Sequence, residues 1–311
     1  MTTRYISIPG ETVRRSAAAA PGRTAPKPTG RTAPRRRRRV KKRRHPLRAL
    51  LLLAVLAAVA WGGLRLLDGL RVEADWAARG IAVKDGTAAS IVQLAHRDSR
   101  AQAIVDAPEA YPPEYLDLLA RNSETLEFVL GYPAHHGDAP GQSLTEPLDT
   151  MPLLLQWDMR WGYQPYGEST VAVSGCAPAC LSMAAAYLTG DPTLTPYRVA
   201  QFAAEQGYYV PGQGTSWSLL SEGAPSLGVQ CRQLALDQAQ VDAALDAGHP
   251  VICSMLPGDF TTEGHFIVLY GRADGGYTVR DPNSVERSGK VWSYDTLSGQ
   301  IAGLWECSAA G

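Results

Sequence analysis

Cysteine is scarce in this chain, five in 311 residues, and an odd, thinly spread set excludes a disulfide scaffold. Acid is almost missing from the stretch Met1 to Arg48, where Glu11 stands alone against 16 Lys and Arg. Large apolar residues are few before Leu47, and Pro, Ala, Gly and Thr take their place. Such a segment cannot bury enough surface to fold, so a disordered basic tail is expected over residues 1–46. Metal chemistry also lacks its parts. His135 and His136 are adjacent, look like a loop, and have no third ligand nearby. No metal, cofactor-binding or ATP-binding motif is legible, so no cofactor is implied.

The formal net charge of zero hides a division. The stretch Met1 to Arg48 carries +15, and Ala49 to Gly311, with 14 basic and 29 acidic groups, carries −15. Taken alone, Arg35 to Arg39 and Lys41 to Arg44 would suit nucleic acid or a nuclear signal. The next segment argues against that. Ala49 to Leu64 holds no charge at all, and Leu47 to Leu67 reaches spanning length if Arg48 and Arg65 snorkel. A dense Lys/Arg flank marks its own side as cytoplasmic and attracts anionic lipid by about 1 kcal/mol per charge. A cleaved signal ending at Ala58-Val59-Ala60 is the rival, against which stands a leading basic region that runs all the way to Arg48. The layout expected is a basic cytoplasmic tail (1–46), a transmembrane signal anchor (47–67), a partly helical stalk or packed helix (68–109), and an extracytoplasmic domain (110–311).

Within that domain the periodicity predicts helices first and strands second. Ala88 to Ile104, Glu114 to Ala120, Glu124 to Leu130 (capped by Asn122 or Ser123), Pro196 to Gln206 and Asp237 to Asp246 read as helices, and Gly214 to Leu220 opens another. Pro250 to Leu256, His265 to Tyr270, Tyr277 to Asp281 and a last strand, Gly303 to Ser308, read as strands. The fold class expected is α+β, helices packed on an antiparallel sheet. Thr215, Ser216 and Trp217 either line a substrate groove or form a helix cap with a packing Trp.

Three short stretches carry the chemistry. Ser174-Gly-Cys176-Ala-Pro178 opens an Ala-rich helical run to Thr189 that stops at Gly190, so the Cys176 thiol faces the positive end of a helix, which favours a thiolate. Gly264-His265-Phe266 and Arg280-Asp281-Pro282 flank the hairpin turn Arg272 to Gly276. In such a hairpin paired residue numbers sum to a constant, here near 546 to 548, which sets His265 opposite Asp281. Thiol, imidazole and carboxylate are the parts of a nucleophile, its general base and the group that orients the base. Each has a plainer role: a buried thiol, a strand histidine, a turn aspartate. Cys180, one helical turn from Cys176, reads as packing, and Cys231, Cys253 and Cys307 read as core thiols.

Gln156-Trp-Asp158-Met-Arg160-Trp-Gly162, Tyr166-Gly167, Gly175-Cys176-Ala-Pro178, Gly264-His265-Phe266 and Asp281-Pro282 together resemble the C39-like cysteine peptidases, relatives of the bacteriocin-leader peptidases with a papain-like fold. The resemblance runs from about Tyr111 to the C-terminus. It implies Cys176 as nucleophile, His265 as base, Asp281 as orienting residue and Gln156 as an oxyanion-hole donor. Gln156 departs from the pattern, standing far ahead of Cys176 in the chain rather than a few positions before it; a strand-end residue is its plain reading. The implied activity is hydrolysis of a peptide or protein substrate at the membrane, with no nucleic acid involved. An amidase acting on cell-wall peptide is the nearest enzymatic rival, and a silent domain that binds peptide or wall is the rival from another class.

Overall fold

The computed structural model describes residues 46–310, so the tail expected to be disordered lies outside the described residues up to position 45. The chain divides into two units, residues 1–52 and 53–311. In the first, the described residues open helix α1 (Pro46–Ala78). Leu50–Ala78 is long and apolar enough to cross a membrane by length and composition, with a mean hydropathy of 2.2 over its most apolar window, none of which is buried. The helix runs past the expected end at Leu67, because nothing between Leu67 and Ala78 is a Pro or a cap.

In the second unit the last turns of α1 pack into a helical layer. Trp76 is buried against Ala88, Ile91 and Leu94 of α2 (Thr87–Ala95), Ile104 of α3 (Gln102–Asp106), Leu116 of α4 (Pro113–Arg121) and Phe128 of α5 (Leu126–His135). Its indole N–H donates to Val105 O. The single helix expected over Ala88 to Ile104 is two. The Asp98 carboxylate accepts from the Arg100 N–H and caps a new turn there, which breaks the first helix. Asn122 caps the turn that feeds α5 in the same way. His135 closes α5 and His136 caps it, so this pair ends a helix and is not a loop.

A small hairpin follows, β1 (Pro165–Tyr166) and β2 (Ser169–Thr170), then the turn α6 (Val171–Ser174) and the helix α7 (Cys176–Thr189). The run Ala177 to Ala186 in α7 is buried without a break, as an all-round apolar helix must be. Gly190, at φ +71°, ends it as a left-handed cap. Next come α8 (Pro196–Glu205) and the hairpin β3 (Tyr209–Val210) and β4 (Gly214–Thr215). Gly214 begins that strand rather than a helix, and helical turns start only after Trp217.

The remaining elements are β5 (Val229–Leu234), α9 (Gln238–Asp246), β6 (Val251–Met255), β7 (His265–Ala273), β8 (Gly276–Arg280), α10 (Val285–Ser288), β9 (Val291–Trp292), α11 (Tyr294–Ser298) and β10 (Ile301–Ala309). Six strands form one antiparallel sheet in the order β5-β10-β6-β7-β8-β9. The last strand is therefore internal to the sheet. α7 packs on one face of the sheet and α9 on the other, so both faces are dry. This is a mixed helix-and-sheet fold.

Cys231 and Cys307 are not core thiols. They are register partners on β5 and β10, with Cα atoms 4.2 Å apart, and form a disulfide. Because β10 inserts beside β5, a pairing of distant segments brings them together, and spacing alone does not reveal it. Cys176, Cys180 and Cys253 remain free.

Candidate active site

Cys176 is the first residue of α7, where the leading N–H groups have no intrahelical partner and the helix end is positive. Gly175 makes the approach possible. A Cβ there would stand 2.4 Å from the Val171 carbonyl oxygen, so no other residue fits between α6 and α7. The Cys176 side chain is partly exposed, whereas Cys180 and Cys253 are buried. Burial pushes the Cys180 thiol up, with the charges of Cys176 and Asp281 adding to it.

His265 opens β7 and Asp281 follows the end of β8. The hairpin register nearest His265 falls at the upper edge of the expected range and does not set Asp281 directly opposite His265. Residue numbers sum to 549 next to the turn and to 548 beyond an irregularity between Leu269 and Gly271, and the ladder stops at Val268–Arg280. Asp281 then bends back into a bridge with Ser284. Its carboxylate still reaches the imidazole: His265 Nε2 and Asp281 Oδ1 are 2.7 Å apart. With Nε2 engaged, Nδ1 is the nitrogen left for another partner, and Cys176 lies near enough to His265 to help push the imidazole up. Thiol, imidazole and carboxylate are thus brought together.

The pair is shielded, His265 being 7% exposed and Asp281 fully buried. Burial disfavours charge on both. The partner's opposite charge and the hydrogen bond outweigh it, so His265 is pushed up and Asp281 down from their ordinary ranges. An unpaired carboxylate in that position would be costly, and Asp281 has a full set of partners. Oδ1 also accepts the Asn283 N–H at 2.7 Å, Oδ2 accepts from Arg287 Nε, and the Asp281 N–H donates to Ser288 Oγ at 2.8 Å.

Gln156 is buried beside this group. Its backbone N–H donates to Pro282 O and its side-chain Nε2 to Ala172 O, each at 2.7 Å. Among the described residues its Oε1 has no partner. These bonds join the Asp281 loop to the turn before α7; none runs to Cys176. The rest of its motif is structural. Arg160 pairs with Asp158 and Glu146 and lies over the Trp161 ring, and the Trp157 indole N–H donates to Asn283 O. At Gly162 a Cβ would come within 2.7 Å of the Phe128 ring, so the helical layer touches the motif closely.

The other residues singled out fall elsewhere. His135 Nδ1 pairs with Asp138 and His136 Nδ1 with Tyr132 O, both at the surface. Thr215 shares a hydrogen bond with the Tyr166 hydroxyl, the Ser218 N–H donates to Ser216 Oγ, and Trp217 packs edge-on to Trp305 while remaining 42% exposed. Arg287, Ser288 and Asn283 were not anticipated from sequence. Their signal is present, though faint: Ser284 caps a single turn that swings Arg287 back over the Asp281 carboxylate.

The Peptidase_C39 like family matches residues 149–309, just over half of the chain. Among solved structures the chain is similar to the peptidase domain of Streptococcus ComA, a bi-functional ABC transporter involved in a quorum sensing pathway. The identity is 22% and the TM-score 0.34, over 44% of this chain and 93% of that one. A Bacillus anthracis protein described as a C39-like peptidase is similar at 15% identity and TM-score 0.32, over 53% of this chain and 97% of that one. No curated protein matches the chain.

Proposed function

The chain belongs to the Peptidase_C39 like family, and from that premise we propose that it is a membrane-anchored cysteine peptidase acting outside the cytoplasm. One observation carries this reading: a partly exposed thiol at a helix start lies near an imidazole whose Nε2 is held by a buried carboxylate. His265 Nδ1 takes the Cys176 proton. The sulfur then adds to the substrate carbonyl carbon, giving a tetrahedral oxyanion. The Cys176 backbone N–H and the second Nε2 hydrogen of Gln156 are the donors suited to it. As the C–N bond breaks, the imidazolium gives its proton to the departing amine, and water then hydrolyses the Cys176 thioester. Asp281 fixes the ring and stabilises the imidazolium.

Three observations support the location. α1 is long and apolar enough to span a membrane, and its N-terminal flank carries +15. The Cys231–Cys307 disulfide suits an oxidising compartment. The substrate is then an exported or wall peptide, with anionic lipid the partner of the tail.

The test is labelling of the full chain in detergent by an epoxide-type thiol inhibitor, with mapping of the modified residue. Modification of Cys176 alone, abolished in His265→Ala, is the expected result. No adduct on Cys176, or equal adducts on Cys180 and Cys253, would leave a silent binding domain.

A further inference from the structure

Asp281 is a buried anion with two cations, His265 on Oδ1 and Arg287 on Oδ2. Arg287 belongs to no element expected to carry function. It sits on α10, a single turn anchored from outside the family-matched segment. Glu124, in the turn before α5, accepts from Ser284 Oγ, from the Val285 N–H at 2.7 Å and from the Glu286 N–H at 3.3 Å. Asn122 Nδ2, in the same turn, donates to Asn283 O. Both residues come from the helical layer, which therefore grips the loop bearing Asp281 from one side while Gln156 and Trp157 grip Pro282 and Asn283 from the other.

We propose that Arg287 is a positioning residue of this site: by sharing the Asp281 charge, it limits how strongly Asp281 stabilises the His265 imidazolium. Glu124 holds the turn that aims it. The consequence for turnover rests on the peptidase reading. An imidazolium stabilised by an unshared carboxylate would hold its proton too firmly to release it to the leaving amine, so the second cation moderates the acid.

The charged and titratable groups around the pair support this assignment. His265 faces Asp281 and, from α7, Cys176. Asp281 faces His265, Arg287 and, from α7, the buried Cys180. On α10 Glu286 pairs outward with Lys290, and on β8 Arg280 is turned away to Met151 O and the Tyr270 ring. Arg287 is thus the cation hydrogen-bonded to Asp281 besides His265 among the described residues.

The experiment is an NMR titration of histidine ring resonances in the full chain held in nanodiscs, with the His265 signal assigned by its loss in His265→Gln. Removing the second cation favours the imidazolium, so Arg287→Gln is expected to raise the His265 midpoint by about one unit, and Arg287→Lys to leave it near the wild-type value. Should the glutamine variant fail to fold, Arg287→Met, which keeps the apolar stem without the charge, reads the same shift. Coincident midpoints in the wild type and the uncharged variant would overturn the proposal. The titration needs no substrate, so it stands apart from the peptidase reading. Iodoacetamide alkylation of wild-type Cys176 across pH tests that reading separately: the absence of a reactive thiolate below pH 7 would sink the peptidase and leave the role of Arg287 to the titration.

Discussion

At Asp281 a fully buried carboxylate is shared between an imidazole and a guanidinium, and much of the chemistry turns on what that sharing does. Asp281→Asn keeps a group that can orient the ring but loses the charge that stabilises the imidazolium. It is expected to fold and to lower kcat about tenfold to a thousandfold, within the range of general acid–base contributions, with Asp281→Ala worse. Unchanged kinetics in both would assign the orienting role to another residue. The same shifts set a pH dependence of stability. Asp281 is depressed, so its contribution is present above the ordinary carboxylate value of about 3.9 and is lost as pH falls through its folded value. His265 is raised, so its contribution is complete below about 6.5 and wanes as pH rises through its folded value. The Tm gap between wild type and Asp281→Ala should therefore be widest between about pH 4 and 6.5 and should narrow on both sides. A gap that is flat from pH 3 to 9 would contradict this.

Among the elements, α7 and the β7–β8 hairpin were legible because their signals are local. Pro178 in the first turn, an Ala-rich run and Gly190 fix the helix, and the turn at Gly275 fixes the hairpin. What escaped the sequence is long-range or depends on single side chains. The turn centres between Asp274 and Gly275, so the ladder does not set Asp281 opposite His265, yet Asp281 reaches His265 because it leaves the strand and turns back. The caps of Asp98 and Ser284 decided where a helix broke and where Arg287 points, and propensity over a window does not see them. The disulfide depends on β10 entering the interior of the sheet, which no local pattern specifies. Linking positions 76 apart, it is expected to contribute about 2–5 kcal/mol. The double variant Cys231→Ser/Cys307→Ser should lose that much in denaturant unfolding while Cys253→Ser, in the same sheet, loses less. Equal stability of the double variant and the wild type would remove the bridge from the account.

For the molecule as a whole, the family match begins only at residue 149, yet the helices before it are joined to the site through Glu124, Asn122 and Phe128. The segment from Thr87 is part of that packed body, and Trp76 of α1 is buried in the same cluster. The proposed topology rests on charge: a +15 flank resists translocation, so protease added to intact cells stripped of their wall should digest the region after residue 68 and spare residues 1–46. Neutralising Arg35 to Arg39 and Lys41 to Arg44 should scramble that pattern, and a protected catalytic domain in intact cells would place its substrates in the cytoplasm. The measurement that bears most directly on the central claim is hydrolysis of a fluorogenic peptide library by the full chain in nanodiscs, compared with Cys176→Ala. The account predicts cleavage of a subset of peptides by the wild type and none by the variant. No cleavage by the wild type, or equal cleavage by both, would contradict it.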